Sequence, residues 1–133
     1  MDTRSKPQIV GLFVLSLITA SSCSVCDNKT VFEAVSPTSG RTAVVFVRSC
    51  GVATGFSTHV SILDHASGLR NESGSILVID DNHGAAPLDA GHALNVLVSW
   101  TVDDRLVIRY PRDARVFKRM MDDTVRVEFA ATP

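Results

Sequence analysis

Leu94-Asn95-Val96-Leu97-Val98-Ser99-Trp100-Thr101 sets Leu94, Val96, Val98 and Trp100 on one side of an extended chain and mostly polar residues on the other. A period of two marks a half-buried strand. The same period returns downstream. Leu106, Ile108 and Tyr110 share a face opposite Val107 and Arg109, and Val125, Val127 and Phe129 alternate with Arg126, Glu128 and Ala130. Upstream, Val31 to Val35, Thr42 to Arg48, Thr58 to Leu63 and Ile76 to Ile79 are rich in β-branched or aromatic residues. Each is bounded by the Gly, Pro, Asn, Asp or Ser that ends strands. These segments predict an all-β domain, a small antiparallel sandwich or curved meander of about seven strands.

The turns favour antiparallel neighbours. Ser36-Pro37-Thr38-Ser39-Gly40 offers a proline-fixed φ and a glycine for a positive φ between two strands, and Val102-Asp103-Asp104-Arg105 joins the Trp100 and Leu106 strands in the same way. Gly84-Ala85-Ala86-Pro87 is too small to form core, so Asp81 to Gly91 is expected to be a mobile loop. Pro111 to Asp123 is the one segment with helical spacing, through Ala114, Phe117 and Met121.

Before this domain, Arg4 and Lys6 precede the apolar run Ile9 to Ala20 and the small residues Ser21 and Ser22. A charged lead, a short apolar stretch and small residues describe a secretory signal peptide, and the run is shorter than the ~20 residues that span a bilayer. The segment Ala20-Ser21-Ser22-Cys23 resembles the lipobox of bacterial lipoproteins. That resemblance implies cleavage before Cys23 and a lipid on its sulfur. Ala20-x-Ser22 also suits ordinary signal peptidase, and an uncleaved anchor reaching to about Val25 is the third reading. The expected division is a signal peptide at 1–22, an anchor or linker at 23–30 and a single β-domain at 31–133. The protein is expected outside the cytoplasm, membrane-anchored in the bacterial cell envelope through its N-terminal lipid.

Of the 13 Lys and Arg, Arg4 and Lys6 leave with the leader, and of the 14 Asp and Glu only Asp2 does, so the net charge of the remainder is −2. Nucleic acid calls for a basic face, and no nucleic-acid partner is expected. The densest basic run, Arg109 to Arg119, reads as a solvated turn or short helix, with an anionic-lipid contact as the alternative. A lipid on Cys23 would leave Cys26 and Cys50 to pair in an oxidising compartment; the alternative is a reactive thiol at Cys50.

The distinctive local stretch runs from Arg48-Ser49-Cys50-Gly51 through Thr54-Gly55-Phe56-Ser57 to His59. With the Ser-Pro-x-x-Gly turn, Cys26, Trp100 and Ala114-Arg115-Val116-Phe117, it is similar to a group of short exported or lipoprotein-like bacterial proteins. They share a Cys-Gly-x-x-Thr-Gly-Phe segment, and the group implies no particular activity. Val52 and Ala53 stand where the group tends to have Ala and Thr. Read physically, Gly51, Thr54, Gly55, Phe56 and Ser57 form a candidate ligand loop, with backbone that can approach a ligand and hydroxyls that can bond it. A phosphate loop is excluded by the missing lysine and by the strand that follows. The turn at Ser36 to Phe46 also looks like one β-propeller repeat, but about seven strands are fewer than two blades.

Cys50 and His59 are the raw material for a thiolate and base, although alternation turns His59 away from Val60 and Ile62 toward solvent. His83, His92 and Asp81 are a candidate metal set without a tight ligand spacing, alongside His59, His65 and Asp80. No cofactor is expected. The resulting expectation is a lipid-anchored binding or structural module that meets an envelope partner through the Gly51 to Thr58 and Asp81 to Gly91 loops. The alternatives are a thiol-dependent enzyme or redox protein using Cys50 and His59, and a metal-binding envelope protein.

Overall fold

The computed structural model describes residues 25–51, 53–64 and 67–133. The signal segment and Cys23 therefore lie outside the described residues, as do Val52 and His65. Eight strands form: β1 (Asp27–Val35), β2 (Thr42–Ser49), β3 (Phe56–Leu63), β4 (Leu77–Asp80), β5 (Leu97–Trp100), β6 (Arg105–Pro111), β7 (Arg115–Arg119) and β8 (Arg126–Thr132). They make a five-stranded sheet in the order β1-β2-β3-β4-β7 and a three-stranded sheet in the order β5-β6-β8. The protein is all-β, with no helix among the described residues. β1 begins at Asp27, so residues 27–30 belong to the sheet and not to a linker.

Ala43, Val45 and Val60 of the larger sheet meet Val98, Leu106, Ile108, Tyr110 and Val127 of the smaller one, and Ile76, Leu77 and Ile79 complete the packing. Val98, Leu106, Ile108, Tyr110 and Val127 are among the alternating residues that the sequence singles out. Burying a side chain of this size contributes about 1.5–3 kcal/mol, which gives the alternation its force. At one end of the sandwich the two hairpin turns clasp each other. Asp104, in left-handed backbone at φ 60, accepts from the Ser36 hydroxyl and, at 3.0 Å, from the Ser39 hydroxyl.

Three features depart from the sequence reading. Pro111 to Asp123 holds no helix; Arg115–Arg119 pairs with β4 as the edge strand β7, making eight strands. The strands are mostly antiparallel, but β6 and β8 run parallel. The chain crosses to the other sheet to form β7 between them, so it returns in the same direction. Finally, the Asp81 to Gly91 segment is not merely loop: Ala86 is 1% exposed within the core, and Leu88 bridges Leu94.

Candidate functional site

The register of β1 and β2 pairs Asp27 with Ser49, so the next step outward sets Cys26 opposite Cys50, and their sulfurs are bonded at 2.11 Å. The disulfide thus fastens the edge strand β1 to its neighbour β2 at the end where the candidate ligand loop emerges. Gly51 and Gly55 take positive φ values of 113° and 68°, and the Thr54 hydroxyl and amide both donate to the Gly51 carbonyl. Thr54 therefore closes the turn. Phe56 stacks flat on His92 with ring centroids 4.0 Å apart, and the Thr58 hydroxyl accepts from the Leu94 amide at 2.9 Å. These contacts bring the Gly51 to Thr58 segment to the residues that follow Asp81 to Gly91, at one end of the sandwich.

His59 is 2% exposed, which corrects the expectation that it faces solvent. Alternation does place it opposite Val60, but residues 70–75 cover that outer face of the sheet. The Asn28 amide donates to the carbonyls of Arg70 and Glu72, and Asn71 donates to the Cys26 carbonyl. Beneath this strap Phe46 packs at 5.1 Å from the imidazole. The Gly74 amide donates to His59 Nδ1 at 2.8 Å, so Nδ1 carries no proton and Nε2–H donates to Ser57 Oγ at 2.7 Å. Burial, helped by the charges of Arg48 and Lys118, lowers the imidazole pKa to about 4.

This arrangement is structural. A general base needs an unprotonated nitrogen aimed at the nucleophile, and here the nitrogen facing Ser57 bears the proton while the other is capped by backbone. Cys50 is bonded to Cys26, so the thiolate and base pair considered from sequence has no free thiol in this structure.

The remaining candidates are dispersed. His92 lies under Phe56, and His83 stands 3.4 Å from Arg115. Among the described residues no group of three or more His, Cys, Asp or Glu is placed to hold a metal ion. In the basic run, Arg115 pairs with Asp80 and lies over the Phe117 ring. Lys118 donates to the Gly74 carbonyl, and Arg119 to the Tyr110 hydroxyl. Burial tends to raise the Asp80 carboxyl, but hydrogen bonds from Arg115 and the Asn82 amide, with the charge of Arg115, hold it below its ordinary value. Of the run's five cations, Arg115, Lys118 and Arg119 are thus used within the fold, and Arg112 lies 3.9 Å from Asp113 on the surface.

The concave feature lies elsewhere. β1 and β5 are edge strands of different sheets, and at one end they are joined where the Trp100 indole donates to the Ala34 carbonyl at 2.9 Å. Toward the disulfide end the two edges part, leaving a groove of about 600 Å³. Val31 and Phe32 form one wall, Pro87 and Leu88 the other, and Leu94 and Val96 lie between them. A bulge in β1 between Thr30 and Phe32 leaves Val31 unpaired. Val31, Phe32 and Leu97 are each about half exposed, at 47%, 50% and 57%. The volume is within the ~300–1,000 Å³ range of ligand sites. Sequence reasoning missed it because its walls are more than fifty residues apart. The available signal was Leu97, the apolar residue on the otherwise polar side of the Leu94 to Trp100 alternation.

No family model matches the chain, and no curated protein or solved structure matches it either.

Proposed function

We propose that this protein is exported by residues 1–22, anchored in the bacterial cell envelope through a lipid on Cys23, and acts there as a binding module. The observation that carries the binding role is the apolar groove between β1 and residues 87–98, on a scaffold stapled by Cys26 and Cys50; export and the anchor rest on the sequence of residues 1–23. Apolar concavities with few polar groups are the usual form of ligand sites. Two further points support a binding role over a thiol enzyme: Cys50 is bonded, and the His59 proton points at Ser57. The Asp81 to Gly91 segment contributes through Pro87, Leu88 and Asp89, which line the groove, so its role is as a wall of the site.

The anchor also gives the domain an orientation. Only Ser24 and Val25 separate Cys23 from Cys26, and three residue steps span about 10 Å. The disulfide end, with the Gly51 to Phe56 loop, is then held close to the bilayer, and the clasped turns at Ser36 and Asp104 point away from it. Metabolic labelling with a clickable palmitate, followed by fractionation, tests the anchor. Label should appear on the wild-type protein in membranes and vanish in Cys23→Ser. Label persisting on Cys23→Ser removes the lipid site, and unlabelled wild-type protein in the cytosol removes export.

A further inference from the structure

We infer that the groove receives one acyl chain of a phospholipid from the bilayer, with Lys29 meeting the lipid phosphate. This rests on the anchored-module reading above and names the ligand of that same site. Nine of the eleven lining residues are apolar. The polar side chains are Asp89 and Asn95, and Asp89 Oδ1 is already accepting from the amides of Gly91 at 2.8 Å and Ala93 at 2.9 Å. An alkyl chain needs no hydrogen bonds, and each CH₂ it buries tightens binding about fourfold.

The geometry disfavours an added peptide strand, the other apolar occupant of an open sheet edge. β5 has only four residues, and its Trp100 end is already joined to Ala34. Across the groove, the bulge at Val31 breaks the regular edge of β1. A strand would find no continuous ladder on either side.

Position and charge point to the bilayer as the source. Lys29, opposite Val47, and Phe32, opposite Val45, lie on the same core-facing side of β1, with Lys29 nearer the disulfide. Lys29 is exposed and makes no ion pair among the described residues. Lys29 does not itself line the groove, but on the proposed orientation it stands on β1 between the lining residues and the membrane, the polarity of a phospholipid entering chain first. Asp89 is the carboxylate lining the groove, and it lies on the opposite wall.

The test places a photoactivatable amino acid at Leu97, and in a control protein at Val102, which is 91% exposed in the β5–β6 turn at the other end. The full chain is illuminated in living cells, and adduct masses are read after purification. Adducts of phospholipid mass at Leu97, with few at Val102, are expected. Val31→Glu in the same protein should reduce them more than about tenfold, because a carboxylate resists burial in an apolar site. Val31 is half exposed, and retained protease resistance would confirm that this variant folds. Protein adducts at Leu97 without lipid would overturn the acyl-chain assignment and leave the binding module standing. An internal crosslink that fragmentation maps to the acyl group on Cys23 would show the protein's own lipid in the groove and overturn the bilayer as source. Equal, trace adducts at both positions would overturn the groove as a binding site altogether.

Discussion

Replacing His59 by Asn should remove a specific part of the protein's acid sensitivity. The folded imidazole has a pKa lowered from 6.5 to about 4, so between those values the folded state holds it neutral while the unfolded chain takes up a proton. The unfolded state then binds more protons, and stability falls as pH falls from about 6.5 to about 4, levelling off below. The full difference corresponds to at most about 3 kcal/mol, a large share of the ~5–15 kcal/mol that stabilises a domain. The structural cost is local: a proton on Nδ1 would face the Gly74 amide 2.8 Å away, two donors with no acceptor. Asn can still offer an oxygen to Gly74 but does not titrate. Urea unfolding followed by Trp100 fluorescence, with the disulfide intact, should show wild type losing stability between pH 6.5 and 4.5 relative to His59→Asn. Carboxylates such as Asp122 titrate in both proteins and cancel in the comparison. Parallel pH curves for the two proteins would refute the reading of His59 as a neutral imidazole locked under the strap.

Other substitutions probe the elements that hold the site. A methyl group at Gly74 would lie within 3 Å of the Leu77 and Val60 carbonyls and of His59 Cβ, so Gly74→Ala should cost about 1–3 kcal/mol in urea unfolding. Reducing the Cys26–Cys50 bond, which closes a loop of 24 residues in separation, should lower stability by about 3.5 kcal/mol on the loop-entropy model, read from the shift in thermal midpoint. Asp104→Ala strands the hydroxyl of Ser36, which is 2% exposed, and should cost about 1–3 kcal/mol. Arg115→Ala should cost about 1–3 kcal/mol in urea unfolding, because it removes a bidentate partner from Asp80, whose side chain is only 15% exposed.

The core was legible in the sequence because alternation and burial coincide at Leu94, Val96, Val98, Leu106, Ile108, Tyr110, Val125 and Val127. β7 was not. Arg115, Val116, Phe117 and Arg119 are exposed, so this edge strand has no buried face to set a period of two, and the spacing of Ala114, Phe117 and Met121 imitates a helix. His59 was assigned to the correct face, but what covers that face is a strap fifteen residues away at Gly74, which local pattern does not reveal. Turn chemistry identified consecutive antiparallel neighbours, yet the parallel pairing of β6 with β8 depends on β7 belonging to the other sheet. The candidate ligand loop is closed as a turn by its own Thr54 and Gly51, a bond that the glycine spacing alone does not reveal. The groove joins Val31 and Phe32 to Leu88 and Leu97, whose proximity only the fold creates.

The central claim, an exported module anchored at Cys23 and stapled beside its anchor, is tested most directly by the intact mass of protein taken from native membranes. Free thiols are alkylated before and after reduction. The account predicts a chain that begins at Cys23 and carries acyl groups, with Cys26 and Cys50 taking up label only after reduction. A chain without acyl mass, or a Cys50 that alkylates without reduction, would contradict it.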